Sequence, residues 1–210
     1  MNSSDHSPIV DRRSEFYKYR PAQAPPSFGR FVAAVRDLLD LSVAANAPDE
    51  AYALATKQID DATRTLAPHR EVEEGDGPAY RVADLPGRGS AMQIPWRMEK
   101  FDDTGVRSVV EFRRAHLGGN ASAHGGMIAC LFDDHLGWIV YSAALPLART
   151  AYMKVDYRSV VPIGREVLLD GWVDRVEGRK FFVAARLTDR EGNVLAECEA
   201  LMIALLAHNV

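Results

Sequence analysis

Cysteine is scarce in this chain. Its two copies, Cys130 and Cys198, lie far apart and each sits inside an apolar pattern. Such spacing offers neither a zinc knuckle nor a disulfide framework, and two buried small hydrophobes in a reducing compartment are expected. Charge of one sign is not in excess: 25 Lys and Arg stand against 29 Asp and Glu, a formal net charge of -4. A mildly acidic surface of mixed sign carries no nucleic-acid footprint. No uninterrupted apolar run reaches membrane-spanning length. The first residues hold Asp5, Asp11 and Glu15 and no apolar leader core, so no signal peptide is expected and a soluble cytoplasmic protein is the default reading. Internal repeats and low-complexity tracts are also missing.

What is present is a chain of 210 residues, 47% of them hydrophobic. That suits one core domain plus an appendage. Residues 1–27 are polar and carry Pro21, Pro25 and Pro26, which reads as an irregular arm. Phe31, Val35, Leu38, Leu39 and Val43 then recur at helical spacing. A second helix is expected to open at Pro48 with Asp49 and Glu50 at its positive end, and to carry the stripe Ala51, Leu54, Ala55, Ile59, Ala62 and Leu66. The two amphipathic helices read as a hairpin that docks its apolar face on the main domain or on a second copy. Glu71, Glu73, Glu74 and Asp76, followed by Gly77-Pro78 and Leu85-Pro86-Gly87-Arg88-Gly89, read as a linker. The boundary is therefore set at 85, with an arm and hairpin over 1–85 and the main domain over 86–210.

After the linker the apolar period changes to two. Val106, Ser108, Val110 and Phe112 alternate as a half-buried strand does. A helix is expected over about 124–143. Four strands follow, marked by Ala151 to Tyr157, Val167 to Val173, Phe181 to Leu187 and Val194 to Met202, with Glu191-Gly192-Asn193 as a turn. This pattern predicts an α+β domain in which one antiparallel sheet curls around a long central helix, behind an N-terminal helical extension. Its edge invites pairing with a second copy.

The helix opens on His124-Gly125-Gly126 and carries Asp133 nine residues after the histidine. Glycines let the backbone approach a ligand, and a helix start offers N–H groups to developing negative charge. The segment thus supplies an end that polarises a carbonyl and a candidate base. Nine residues come to roughly half a turn beyond whole turns, so the helix start and Asp133 are expected to face opposite sides. Two antiparallel copies across a two-fold axis would aim one group from each chain at a shared cleft.

The pattern HGG-x(6)-D, with Thr150 to Pro162 (TAYMKVDYRSVVP) and Asp174 to Val183, resembles the hotdog-fold acyl-CoA thioesterases related to the phenylacetate-pathway enzyme, in particular their THEM-type branch. The resemblance covers about residues 90–208. It implies a hotdog domain that dimerises, or forms a dimer of dimers, and cleaves the thioester of acyl-CoA. It implies no metal and no cofactor, CoA being part of the substrate. In the family the position of Asp133 acts as base or nucleophile. The N–H at the position of Gly125, held by His124, polarises the thioester carbonyl, and a hydroxyl at the position of Thr150 positions water or substrate. Segments matching Tyr157-Arg158-Ser159 and Gly178-Arg179-Lys180 line the CoA channel, and Gly126 and Phe181 count with them as substrate contacts. Many relatives carry an asparagine six residues before the histidine; this chain has Gly118 there, with Asn120 out of register.

Each of these residues also has a plain structural reading. His124 suits a buried histidine bonded to the backbone. Asp133 suits a solvent-facing helix position, yet the segment around it is apolar enough to bury it, and a buried carboxylate without a role is rare. Asp134 is its nearest rival. His124, Asp133, Asp134 and His135 make a poor metal set, since the spacing is not HExxH. Arg179, Lys180 and Arg158 suit solvated surface charges as well as phosphate contacts. The alternatives to a thioesterase are a non-catalytic acyl-CoA-binding or regulatory hotdog module, and a hotdog hydratase or dehydratase.

Overall fold

In the computed structural model, residues 24–70 and 77–206 are described. The arm over 1–23 and the acidic stretch over 71–76 lie outside the described residues. Two helices come first, α1 (Phe28–Ala44) and α2 (Asp49–Leu66). Strands β1 (Trp96–Asp102) and β2 (Gly105–Glu111) form a hairpin, and α3 (Gly125–Ser142) follows. Strands β3 (Ala148–Tyr157), β4 (Glu166–Glu177), β5 (Lys180–Thr188) and β6 (Val194–Ala204) complete the chain. They form one six-stranded sheet in the order β1-β2-β4-β5-β6-β3, antiparallel throughout.

The expected sheet wrapped on a central helix is what forms. Helix α3 buries Ile128, Leu131, Phe132, Leu136, Ile139 and Val140, a set at three- and four-residue spacing. Opposite them the sheet turns in Val167 and Leu169 of β4, Phe181, Val183, Ala185 and Leu187 of β5, and Ala196, Cys198, Ala200 and Met202 of β6. Helix and sheet pack tightly at Gly171, where an added Cβ would lie 2.3 Å from Ile139 Cδ1. A larger residue there would force the Ile139 side chain out of its packed position.

Three expectations need correction. Strand β1 was not foreseen. Its residues read weakly as a strand because the alternation of Trp96 and Met98 stops at Lys100, and a bulge between Met98 and Lys100 breaks its register. The two N-terminal helices do not form a hairpin packed on its apolar stripe. Helix α1 buries Val32 and Arg36, while Phe31 and Leu38 stay 43% and 41% exposed. Beside the burial of Val32, polar clasps dock α1. Arg36 Nη2 donates to the carbonyls of Pro86 and Ser90 at 2.8 and 2.6 Å, and Arg113 pairs with Asp37 and Asp40. Helix α2 buries no residue, and its stripe through Leu54 and Ile59 faces solvent. Finally, Cys198 is buried but Cys130 is exposed on α3.

Candidate active site

The backbone at the start of α3 is fixed before any side chain matters. Residues 117 and 123 bridge as a short antiparallel pair, His124 N–H donates to His116 C=O at 2.8 Å, and Ala123 N–H donates to Val161 C=O at 2.9 Å. Gly118 lies against this turn: a Cβ there would stand 2.8 Å from His124 Cα. This backbone leaves no room for the asparagine that many relatives carry, which accounts for the glycine. Asn120 sits in the turn at φ 54, out of register as expected.

His124 is the N-cap of α3, extended at φ -65 and ψ 133, and its Nδ1 accepts from Gly126 N–H at 3.0 Å. The ring is exposed, so the structural role of His124 is capping and not burial. An added Cβ on Gly126 would press within 3.1 Å of that ring nitrogen. Gly125 C=O accepts from the Tyr157 hydroxyl at 2.9 Å. With Gly126 N–H capped, Gly125 N–H has no partner among the described residues. It is a helix-end donor left for something outside the chain.

Further along α3, two adjacent carboxylates have opposite fates. Asp134 is largely buried and fully engaged: Oδ1 accepts from Arg88 Nη2 at 2.6 Å and Oδ2 from Trp96 Nε1 at 2.8 Å. Asp133 is exposed, contrary to the burial expected from its apolar surroundings. It follows Phe132 by about 100° on the helix, which turns it out of the core. Its Oδ1 accepts from Thr150 Oγ1 at 3.0 Å. These two residues, with Gln93, Cys130, Gly137 and Arg149, line an open depression of about 400 Å³. Asp134 therefore serves as a structural anchor, and Asp133 is the carboxylate open to a ligand.

Two other ionisable groups, His135 and Cys198, are ruled out by their surroundings. His135 is fully buried; its Nδ1 donates to Leu131 C=O at 2.9 Å, which leaves Nε2 to accept from the Ser108 hydroxyl at 3.0 Å. Burial holds its pKa below the ordinary histidine range. Burial likewise pushes the Cys198 thiol up to about 12, with the Asp133 charge adding to it, so this sulfur stays protonated and unreactive. Among the described residues no group of three or more His, Cys, Asp or Glu is placed to hold a metal ion.

The geometry of the helix also differs from the half-turn expected. The helix begins at Gly125, and its eight-residue separation from Asp133 comes to about 80° around the axis but about 12 Å along it. Axial distance, not opposition, keeps the two groups apart. The sheet repeats this separation. Thr150 pairs with Met202 and Met202 with Phe181, so the Gly178-Arg179-Lys180 turn lies at the Asp133 end. Tyr157, Arg158 and Ser159 lie at the far end of β3, beside Gly125.

Several candidate contacts are already occupied. Arg158 bonds to Glu197 at 3.1 Å and Arg179 donates twice to Ala204 C=O at 3.2 and 3.0 Å. Lys180 is exposed next to Gly178, which takes φ +58 in the turn. Phe181 is 2% exposed and packs in the core, so its contribution in this chain is packing and not substrate contact. Sequence reading missed Arg88 and Arg149. Arg88 stands within 6 Å of the Trp96 and Trp138 rings, at 5.9 and 5.3 Å, and is delivered by the stretch read as linker. The signal was there: an arginine held between two glycines, with Gly87, Arg88 and Gly89 all at positive φ, marks a tight turn built to present one side chain.

Solved structures share this architecture. The crystal structure of a thioesterase superfamily protein aligns with a TM-score of 0.72 at 21% identity, over 88% of this chain and 97% of that one. The fold is the hotdog fold. Residues 120–196 match the model of the thioesterase superfamily, so the resemblance read from the motifs holds. The crystal structure of a Streptococcus mutans protein bound to acetyl CoA aligns at a TM-score of 0.50 and 22% identity, over 53% of this chain and 89% of that one. In sequence, the acyl-coenzyme A thioesterase THEM4 of Xenopus laevis is 36% identical over 84 residues, which are 39% of this chain and 37% of that protein. The rat protein of the same name is 30% identical over 83 residues, 39% of this chain and 35% of that protein. The chain thus spans little more than a third of the length of the curated relatives it matches. No described helix is long and apolar enough to cross a membrane.

Proposed function

We propose that this protein hydrolyses acyl-CoA thioesters to free acid and CoA. The observation that carries this reading is the division of labour between the two neighbouring carboxylates: Asp134 is tied to Arg88 and Trp96, while Asp133 is open and hydrogen-bonded to Thr150. Curated relatives that bear the name acyl-coenzyme A thioesterase, and a hotdog structure that holds acetyl CoA, support the substrate class. The thioester carbonyl accepts from Gly125 N–H, whose orientation His124 fixes by capping the next residue. In one route Asp133 takes a proton from water as that water attacks the carbonyl carbon, the C–S bond breaks, and the proton passes to the departing sulfur so that free acid and CoA thiol leave. In the other Asp133 attacks the carbon itself, the C–S bond breaks to leave an acyl anhydride on Asp133, and water then hydrolyses that anhydride, which frees the acid, restores the carboxylate and supplies the proton for the CoA thiolate. Thr150 holds the carboxylate in place. In this reading no metal or cofactor is required, and CoA enters only as part of the substrate.

The active unit in this reading is a homodimer with shared sites. Strand β3 is an edge of the sheet and ten residues long, and such an edge is a template for pairing. Its Thr150 and Tyr157 ends stand about 23 Å apart in one strand. Antiparallel overlap with the same strand of a second copy sets the Thr150 end of one beside the Tyr157 end of the other. That brings Asp133 and the Gly178-Arg179-Lys180 turn of one chain to Gly125 and the Tyr157-Arg158-Ser159 segment of the partner subunit. The domain boundary at 85 is kept with one refinement: Arg36 of α1 clasps the turn that carries Arg88, so the extension supports the main domain. A cytoplasmic location fits the two widely separated free cysteines.

The exposed stripe of α2 favours one competing reading, a binding module that recruits a partner. Release of free thiol from a panel of acyl-CoA esters, set beside equilibrium binding of the same esters, separates the two. Many turnovers per site are expected; stoichiometric binding with no thiol release would establish the binding module.

A further inference from the structure

Beside the Asp133 depression lies a second pocket of about 160 Å³, walled by Arg88, Trp138, Val140, Tyr141, Leu145 and Leu147. The two spaces share Asp134, Gly137, Ala148 and Met202, so they are contiguous. Gly137 stands one helical turn past Asp133, inside α3, where a glycine is destabilising relative to alanine. Crowding within the chain does not explain it. An added Cβ on Gly137 would meet nothing within 4 Å, whereas the same atom on Gly171 would strike Ile139. The missing side chain leaves open the space between the carboxylate and the apolar pocket. Inside the pocket Arg88 and Asp134 pair with one another at 2.6 Å, so the wall offers rings and aliphatic surface to an uncharged guest.

We propose that this side pocket receives the acyl group and that Gly137 is the specificity-determining residue that admits it. A cavity of about 150 Å³ holds benzene, so the favoured acyl group is uncharged and has about six carbons, as a short chain or a single ring. The inference rests on the thioesterase reading for its reacting centre.

The test uses CoA thioethers, which bind but are not hydrolysed, with the full chain. Dissociation constants are measured by calorimetry for S-ethyl-, S-hexyl- and S-dodecyl-CoA, and subunit number by ultracentrifugation. The wild type should bind S-hexyl-CoA at least about tenfold more tightly than S-ethyl-CoA, with no further gain for S-dodecyl-CoA. In Gly137→Leu the ratio of S-hexyl-CoA to S-ethyl-CoA affinity should fall below about threefold while subunit number stays unchanged. Gly137→Ala, which meets no neighbour, gives the same comparison with a smaller loss should the leucine variant fail to fold. Equal affinity for all three thioethers in the wild type, full selection in Gly137→Leu, or a changed subunit number in that variant would overturn the proposal. The last outcome would assign the glycine to packing between copies. Selection by size in a protein that hydrolyses no thioester would uphold the pocket and remove the thioesterase reading alone.

Discussion

Replacing Asp133 with asparagine is expected to lower kcat for acyl-CoA hydrolysis by about two to four powers of ten, the usual contribution of a positioned base. The fold should not suffer. Asp133 is exposed, and the hydrogen bond it accepts from Thr150 needs only an oxygen, which asparagine retains. CoA affinity should stay within a few-fold of wild type because the charge removed sits at the reacting end. The contrast is Asp134→Asn, which weakens a largely buried ion pair with Arg88 and should lower the melting temperature instead. Thiol-release kinetics and calorimetric CoA binding on both variants check the assignment. Activity of Asp133→Asn within a few-fold of wild type would take this carboxylate out of the chemistry.

Replacing Gly125 with proline should lower kcat by about 10² to 10³, the cost of losing one preorganised donor to a developing oxyanion. Proline deletes an N–H that has no partner among the described residues, and the first helical position is where proline is best tolerated. The residue before it is already extended, as a pre-proline residue must be, with His124 at ψ 133. Gly125 C=O, which accepts from Tyr157, is untouched. Gly125→Ala is the control. It keeps the N–H and adds a Cβ that meets the Tyr157 ring at 3.4 Å, so its loss should be far smaller. Helicity and melting temperature verify that both variants fold. Equal activity in the proline and alanine variants would mean that this N–H does not hold the carbonyl.

The core of this fold was legible because its period is strong. The inward residues of β4, β5 and β6 alternate cleanly, and α3 has few charges to blur its extent, so helix and strands were placed close to their observed limits. The failures have physical causes. The apolar stripe of α1 pointed only in part to the docked face: Val35 and Leu39 are half-buried but Phe31 and Leu38 are exposed, because the helix also docks through Arg36 and the Asp37–Asp40–Arg113 cluster, and periodicity of apolar residues carries no information on polar clasps. Asp133 was expected to be buried because its neighbours are apolar; a helix apolar on most sides gives no sign of which one faces out. Within the site, the HGG turn and Asp133 stand out by spacing, whereas the Arg88–Asp134 pair joins residues 46 positions apart, and a local pattern cannot show such a contact.

The central claim is that one site draws Gly125 from one chain and Asp133 from another. It is tested most directly by mixing the two inactive variants, Asp133→Asn and Gly125→Pro, under conditions of verified subunit exchange. Each mixed dimer then holds one site with both groups intact and one with neither. Random exchange of equal amounts should restore about one quarter of wild-type thiol release, from two preparations that are each nearly inactive. Mixed dimers that are present in the expected amount and remain inactive would contradict the account, because each site would then be built within a single chain.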